Sequence, residues 1–283
     1  MDFLILLLGL SILIVGGDYL VKGAVGLSKT MKISPLVTGM TVVAFGTSAP
    51  ELIVSLESAL NGNPGIAVGN VVGSNIANIS LVLGLTIIIF PLVVDRHLKL
   101  IDFPMMILAT LLFYLFSIDG EFSRTEGVIL FSILVVFITT LIIKSRKENK
   151  EDHLGVFSDD AKKPPFWKSS FFLLLGFVGL YFGAGWFVEG AVGLANDWLG
   201  DNPDKDTIIG VTVVALGTSA PELVASCVAA YRKQTDMSIG NLIGSNIFNV
   251  FAVIGLTSIV QPIETTSQVI EFDMLWVLGL ALL

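Results

Sequence analysis

Residues 41–51 read TVVAFGTSAPE and residues 212–222 read TVVALGTSAPE, so ten of eleven positions are identical at an offset of 171 residues. Each copy places a glutamate, Glu51 or Glu222, inside a strongly apolar stretch. A charged side chain in such a stretch costs free energy, and within a membrane span it is a functional hypothesis by default. The duplicated acid therefore indicates both how the chain folds and where its chemistry lies.

The composition around these copies is that of a membrane protein. Of the 283 residues, 54% are hydrophobic and 14% are charged, whereas soluble domains carry about 25% charged residues. Crossing a bilayer takes about 20 apolar residues. Nine segments fit this requirement: roughly 3–28, 35–60, 65–94, 100–117, 125–143, 168–196, 207–231, 237–260 and 269–283. The net charge of −8 argues against nucleic-acid binding, and the single cysteine, Cys227, excludes an intrachain disulfide framework.

A second motif repeats at the same offset. Residues 69–78 read GNVVGSNIAN and residues 240–249 read GNLIGSNIFN, which match at seven of ten positions. The charged stretch 144–167 lies between the two related halves. We therefore predict a first five-helix repeat at 1–143, a linker, and a second repeat at 168–283. The motif regions of the two repeats are 39–78 and 210–249.

The second half is shorter and runs through the membrane in the opposite direction. It stops within a ninth segment, before a counterpart of segment 125–143, so we expect a fragment of a ten-helix protein. Loops on the linker side hold 13 Lys and Arg residues, against two, Arg124 and Lys205, on the other side. The positive-inside rule then predicts an outside N-terminus and a cytoplasmic linker. Because five spans is an odd number, the halves form an inverted repeat.

The first motif offers a carboxylate, hydroxyls and a broken helix. Thr47 and Ser48 lie four and three residues before Glu51, so they share its helix face. Pro50 has no N–H to donate, and carbonyls near Ala44–Gly46 are expected to lack helical partners. In a bilayer such carbonyls need protein, water or a cation. The second copy repeats this set with Ala215, Thr218, Ser219 and Glu222.

The second motif adds amides. Ser74 and Asn78 lie four apart on one helix face, as do Ser245 and Asn249. Together the motifs predict an all-oxygen site that suits a hard cation such as Ca²⁺ or Na⁺ and not zinc or copper. The candidate ligands are Glu51, Glu222, Thr47, Ser48, Thr218, Ser219, Asn78, Asn249, Ser74, Ser245, Ala44 and Ala215. The glycines of this motif, Gly69, Gly73, Gly240 and Gly244, have the small-xxx-small spacing that permits close helix approach.

GTSAPE and GNxxGSNxxN, each present twice, resemble the repeats of the Na⁺/Ca²⁺ exchangers in the cation/Ca²⁺ exchanger superfamily. The resemblance covers nearly the whole chain and implies an all-α polytopic membrane protein with ten helices in two inverted halves. It implies that Glu51 and Glu222 are the central carboxylate ligands, and that Ala44 and Ala215 contribute backbone carbonyls. Asn249 departs from related motifs that carry Asp there, which leaves one fewer titratable acid and puts K⁺ dependence in doubt.

The function implied by the resemblance is antiport of Ca²⁺ against Na⁺ by alternating access in the plasma membrane. Two carboxylates are neutralised by one Ca²⁺ but need at least two Na⁺, so the ions compete for one set of oxygens. No enzyme activity, cofactor or obligate protein partner is implied, and the surroundings are membrane lipid. The family also suggests that the first and sixth spans slide against the ion-binding core; their stretches GGDYLVKGAVG and GAGWFVEGAVG permit close contact.

Three other functions stay open. A Ca²⁺/H⁺ or other cation/proton antiporter would use the same glutamates, although the proton-coupled branch typically has an acid and a histidine where this chain has GSN twice. A passive cation channel would conduct without counter-ion coupling, and the sequence alone does not exclude it. An intramembrane enzyme with two acids would leave the symmetric Ser, Thr and Asn residues unexplained.

Overall fold

The computed structural model describes residues 1–91, 98–151, 164–199 and 215–282, which are almost entirely helical. The α-helices are α1 (Asp2–Met31), α2 (Pro35–Thr38), α3 (Ala44–Thr47), α4 (Ala49–Leu60), α5 (Pro64–Ala77), α6 (Gly84–Ile89), α7 (Phe103–Ser117), α8 (Arg124–Glu151), α9 (Phe166–Leu199), α10 (Ala215–Thr218), α11 (Ala220–Tyr231), α12 (Thr235–Phe248), α13 (Gly255–Val260) and α14 (Met274–Leu282). Wider π-helical turns are π1 (Gly39–Val43), π2 (Asn78–Leu83), π3 (Leu98–Asp102), π4 (Asn249–Ile254) and π5 (Val269–Asp273). Strands β1 (Glu121–Phe122) and β2 (Ile263–Glu264) pair antiparallel.

Helices that can cross a bilayer occupy most of the predicted segments. Within the described ranges, six helices are long and apolar enough, and a seventh span consists of Pro35–Thr47 and Ala49–Leu60, which meet at a bend of 42°. These seven coincide with seven of the nine predicted segments. Of the other two, segment 207–231 is described from Ala215 onward and contains the apolar helix α11, and segment 269–283 contains π5 and α14.

The helix α8 runs further than its hydropathy predicts. The apolar stretch ends at 143, yet the helix continues to Glu151. The added turns are rich in Lys and Glu, which favour helices, and Lys144 and Glu148 form an i,i+4 ion pair at 3.8 Å. The predicted linker therefore begins as helix and not as an irregular segment.

The two halves have the same backbone at the offset seen in the sequence. α4 corresponds to α11, α5 to α12, and π2 to π4, each shifted by 171 residues. Even the helix breaks match: Ser48 has φ −87° and ψ 3°, and Ser219 has φ −88° and ψ 2°. The duplicated motifs thus specify duplicated local structure, including the break that the proline-containing sequence predicts.

A ladder of glycines joins α1 to α9. Glycines recur every seven residues in both helices, at Gly9, Gly16 and Gly23 and at Gly176, Gly183 and Gly190. A Cβ at Gly16 would lie 2.8 Å from Leu180 N, and one at Gly183 would lie 2.7 Å from Leu13 N, so the two backbones touch. Contacts that run in opposite order along the chains make the pair antiparallel. The close contact expected of these helices is made mainly between themselves, whereas Gly17 faces the core at Val224.

The helix of Thr235–Val260 is the centre of the core. Of its apolar window 78% is buried, against 33% for its equivalent, Pro64–Ile89. A Cβ at Gly244 would lie 2.7 Å from Met40 Cα, so this helix packs directly on π1. The predicted close approach is confirmed for the second copy of the motif.

The first copy lacks this packing within the described residues. No described atom lies within 4 Å of a Cβ placed at Gly69 or Gly73. The equivalents of Leu36 and Met40, against which the second copy packs, are Thr207 and Val211. These two residues lie outside the described ranges, so the packing role of Gly69 and Gly73 stays a prediction.

Candidate ion-binding site

Both glutamates sit at the start of a helix that follows a break. Glu51 lies in the first turn of α4 and Glu222 in the first turn of α11. Proline is well suited to a first turn because its fixed φ fits the helix and the missing N–H is not needed there. The N–H groups and the dipole of the helix start favour a carboxylate. Glu51 is 1% exposed and Glu222 is 0% exposed, so neither reaches solvent.

The two motif copies meet through their hydroxyls. Ser48 Oγ donates to Glu222 Oε1 at 3.3 Å, which joins the first repeat to the carboxylate of the second. Thr47 Oγ1 lies 3.3 Å from Ser245 Oγ and 3.2 Å from Asn241 Oδ1, to which it donates. Predicted ligands from both repeats therefore share one buried place.

The buried place holds an excess of oxygen atoms over hydrogen-bond donors. Neither carboxylate oxygen of Glu51 has a hydrogen-bond partner in the described part of the chain, and Oε2 of Glu222 has none either. Ser74 lies beside the Glu51 carboxylate without hydrogen-bond geometry. The other unpartnered atoms of the motifs are Ser74 Oγ, Ser219 Oγ, Asn78 Oδ1, Asn78 Nδ2, Asn246 Oδ1 and Asn249 Oδ1. Because buried polar groups are nearly always paired in native proteins, these oxygens are suited to a cation.

The donor types of the buried set are those of a hard-cation site. Among the described residues, no group of three or more His, Cys, Asp or Glu could hold a metal ion. The buried set instead consists of two carboxylates, which interact electrostatically, together with hydroxyls and amides. Such neutral and charged oxygens are what Ca²⁺ takes as ligands, whereas zinc favours Cys and His.

The carbonyl of Ala44 was predicted to lack a helical hydrogen-bond partner, but it has one. It accepts from Ser48 N at 2.9 Å, so the expectation that it lacks a helical partner is wrong. Helical N–H groups donate four residues back, and Pro50 therefore removes only the donor for Gly46. The Ala44 oxygen has a second lone pair, which a cation can use while this helical hydrogen bond stays in place.

Two residues of the second copy complete the set. Thr218 is half-buried and ends α10, and Ala215 begins the same short helix. The side-chain surroundings of Ala215 lie outside the described part of the structure. Its role as a carbonyl ligand stays a prediction.

Two asparagines that were not among the predicted ligands brace the site. Asn70 Nδ2 donates to Ser55 Oγ at 2.9 Å and to the carbonyl of Glu51 at 3.1 Å. The equivalent Asn241 Nδ2 donates to Ser226 Oγ at 3.0 Å. Both pairs are identical in sequence at the offset of 171, and this identity is the signal that locates them. Each pair ties the helix of a glutamate to the helix of the second motif.

Comparison with known proteins defines the family. The family described as sodium/calcium exchanger protein matches residues 1–143 and 168–283. The chain belongs to this sodium/calcium exchanger family. It is 32% identical over 306 residues to the sodium/calcium exchanger MaX1 of Methanosarcina acetivorans, across 96% of this chain and 86% of that protein. It is 33% identical over 269 residues to the inner membrane protein YrbG of Escherichia coli, across 92% and 80% of the two chains.

Solved structures agree with this membership. The sodium-calcium exchanger NCX_Mj, soaked with 2.5 mM Na⁺ and 0.1 mM Ca²⁺, is 33% identical with a TM-score of 0.81, over 99% of this chain and 89% of that one. The same exchanger soaked with zero Na⁺ and Ca²⁺ gives a TM-score of 0.83 at 32% identity. The predicted exchanger fold is thereby confirmed, and the chain is an integral membrane protein of an antiporter family, not of an enzyme family.

Proposed function

We propose that this member of the exchanger family exchanges Ca²⁺ for Na⁺ across the membrane by alternating access. The observation that carries the proposal is that two buried and interacting carboxylates, Glu51 and Glu222, come one from each repeat, with unpartnered oxygens among the motif residues. Ser48 of the first repeat bonds Glu222 of the second. The exchanger names of MaX1 and NCX_Mj support the same activity. The candidate ligands remain those of the two motifs, including the Ala44 carbonyl, which keeps one lone pair beside its hydrogen bond from Ser48 N.

Charge balance explains how one site couples two ions. Two buried carboxylates without counter-charges are costly in a medium that solvates ions poorly. One Ca²⁺ neutralises both, whereas at least two Na⁺ are needed for the same effect. Because the same oxygens serve either ion, binding of one displaces the other. A neutralised site can be occluded within the membrane, and a site with two bare charges resists occlusion.

The packing offers a moving unit for alternating access. α1 and α9 touch along their glycine ladder and belong to different repeats, so they form one paired body. Because glycine has no side chain, α1 can also pack closely against the core, and Gly17 contacts Val224 there. We propose that this pair moves relative to the core that carries the glutamates. The distribution of Lys and Arg supports an outside N-terminus and a cytoplasmic linker in the plasma membrane.

The test is Ca²⁺ uptake by the purified protein in liposomes. Vesicles loaded with Na⁺ and diluted into Na⁺-free buffer with radioactive Ca²⁺ should accumulate it, and collapse of the Na⁺ gradient should stop the uptake. Vesicles with equal Na⁺ on both sides and an imposed pH gradient form the second arm. Uptake that follows the pH gradient alone would establish proton antiport instead. Uptake that needs no counter-ion gradient would indicate a channel.

Variants link the transport to the site. Glu51→Gln and Glu222→Gln keep the shape of the side chain and remove the charge, so each should lack Na⁺-driven uptake. Glu57→Gln is the matched control because Glu57 lies on the same helix, α4, with an exposed side chain. Na⁺-driven uptake that survives in both site variants would place the ions elsewhere.

A further inference from the structure

A chain of buried amides connects the two repeats beside the site. Asn249 Nδ2 donates to Asn75 Oδ1 at 3.0 Å, and Asn75 Nδ2 donates to the backbone carbonyl of Asn246 at 3.5 Å. Asn75 is 3% exposed, Asn246 is 4% exposed and Asn249 is fully buried. Asn75 was not among the predicted ligands, although it is the Asn of GSN in the first repeat.

The direction of the first hydrogen bond decides what Asn249 can do. An amide has one oxygen that accepts and one nitrogen that donates. With its nitrogen bonded to Asn75, Asn249 keeps Oδ1, which has no partner in the described residues. The opposite orientation would direct an N–H towards the site, where it would repel a cation. Only the observed orientation makes Asn249 an oxygen ligand.

Asn249 lies at a contact between the two repeats. Asn249 begins π4, which packs against α4, the helix of Glu51, and against α5, the helix of Asn75. Asn75 directly follows Ser74, which lies beside the Glu51 carboxylate. The amide pair therefore stands where the two repeats meet the proposed ion.

We propose that Asn75 is a positioning residue that holds the Asn249 amide with its oxygen directed to the transported cation. This inference rests on the proposed ion site at Glu51 and Glu222. Asn75 acts through Asn249 and does not itself contact the ion. It sets the affinity of the site by excluding the amide orientation that cannot bind.

The other repeat supplies an internal control. Asn246 is the equivalent of Asn75, but its Nδ2 donates to the carbonyl of Leu242 in its own helix at 2.8 Å. Both amide atoms of Asn78, the equivalent of Asn249, lack partners among the described residues. Among the described residues, a hydrogen bond between the two side-chain amides is thus present for Asn249 and Asn75 and not for Asn78 and Asn246.

A double-mutant cycle tests the role. Asn75→Leu has similar volume and no polar atom, so Ca²⁺ affinity should fall roughly three- to tenfold, as expected for one lost hydrogen bond. In the Asn249→Asp background the same change should have little effect, because a carboxylate presents an oxygen in either orientation. A purely packing role would lower affinity by the same factor in both backgrounds. The readouts are Ca²⁺ titration calorimetry on the purified full chain and the KM for Ca²⁺ in liposomes.

Two further variants complete the design. Asn246→Ala keeps the backbone carbonyl that Asn75 uses and should change Ca²⁺ affinity less than about twofold. Asn75→Ala replaces Asn75→Leu if the latter does not elute as a folded monodisperse protein. Equal losses in the wild-type and Asn249→Asp backgrounds, or no loss in either, overturn the positioning role.

The experiment also separates this inference from the proposed function. If the wild-type protein binds Ca²⁺ but shows no Na⁺-driven uptake, the exchange proposal fails while the calorimetric cycle still decides the role of Asn75. If the wild-type protein binds no Ca²⁺, both proposals fail. Normal exchange with additive losses in the cycle retains the function and rejects the positioning role.

Discussion

The Glu51 carboxylate has no hydrogen-bond partner among the described residues, whereas the equivalent carboxylate of Glu222 accepts one from Ser48. Asn78 and Asn249 differ in the same sense, since the first amide is unpartnered and the second donates to Asn75. The sequences around these residues are nearly identical. Equal sequence has therefore produced equal backbone but unequal side-chain contacts.

Burial shows the same inequality. The helix that carries the second copy of GNxxGSNxxN is buried over 78% of its apolar window, and its counterpart over 33%. In an inverted repeat the two copies enter the membrane from opposite sides, and any single conformation of a transporter opens to one side only. Equivalent residues can then have different neighbours in one conformation. The counterparts of the residues that cover the second copy, Thr207 and Val211, lie outside the described ranges, so the comparison holds for the described residues.

The largest expected effect is the loss of either glutamate. Glu51→Ala and Glu222→Ala should each reduce Na⁺-driven Ca²⁺ uptake by more than about 100-fold, beyond what changes around a ligand usually cost. The protein should remain folded, because removing a buried charge relieves a desolvation cost. Uptake and size-exclusion chromatography measure the two properties. A mutant with normal transport would show that the two acids do not act as a pair.

A smaller effect on stability should distinguish the glycines of the second motif. At Gly240 an added Cβ would meet the carbonyl of Leu36, so Gly240→Ala should destabilise the fold by about 1–3 kcal/mol. The same substitution at the equivalent Gly69 tests the packing predicted for the first copy, whose facing residues Thr207 and Val211 lie outside the described ranges. Thermal unfolding in detergent compares the two. Equal destabilisation would mean that the two copies are packed alike.

The serine hydroxyls beside the two glutamates should differ less in their contributions to Ca²⁺ affinity. Ser48 donates to Glu222, and Ser219 Oγ has no partner in the described chain. The unpartnered Ser219 oxygen is the one free for the cation, so Ser219→Ala should lower Ca²⁺ affinity roughly three- to tenfold, with a smaller loss for Ser48→Ala. Calorimetric Ca²⁺ titration of both variants tests this order. A larger loss for Ser48→Ala would contradict it.

The smallest effect concerns an ion pair present on one side only. Asp18 of α1 pairs with Arg232, which follows α11, and the equivalent of Arg232 in the first repeat is the uncharged Asn61. Both partners are partly exposed, so Asp18→Asn should cost less than about 1 kcal/mol. The loss should shrink at high salt, because salt screens exposed charges. Unfolding temperatures at low and high salt measure it, and a loss independent of salt would argue against an electrostatic origin.

Much of the fold could be predicted because membrane spans depend on summed hydropathy and the halves are duplicated. The position of Pro50 four residues after Gly46 predicted the helix break, and the two buried glutamates predicted the location of the site. The end of α8 was missed because its last turns are charged, although such residues still form helix. The expectation that the Ala44 carbonyl would lack a hydrogen-bond partner was wrong, because one proline removes one N–H donor and leaves the adjacent hydrogen bonds intact.

The contacts between the repeats lay beyond what the sequence predicts. Asn75 and Asn246 are equivalent positions in matching motifs, so no local pattern indicates that one bonds Asn249 and the other bonds its own helix. That choice depends on the relative placement of the repeats. The bracing pairs of Asn70 and Asn241 were in principle accessible, since identity in both halves extended to their partners Ser55 and Ser226.

The glycine ladder between α1 and α9 has a consequence for the history of the chain. Each half contributes one of the two helices, and each glycine of the ladder touches the backbone of the other helix. A larger residue in either helix would push the two helices apart unless the facing residues of the other helix became smaller. The two halves of a duplicated chain are free to diverge over most of their lengths, but along this seam they can change only together.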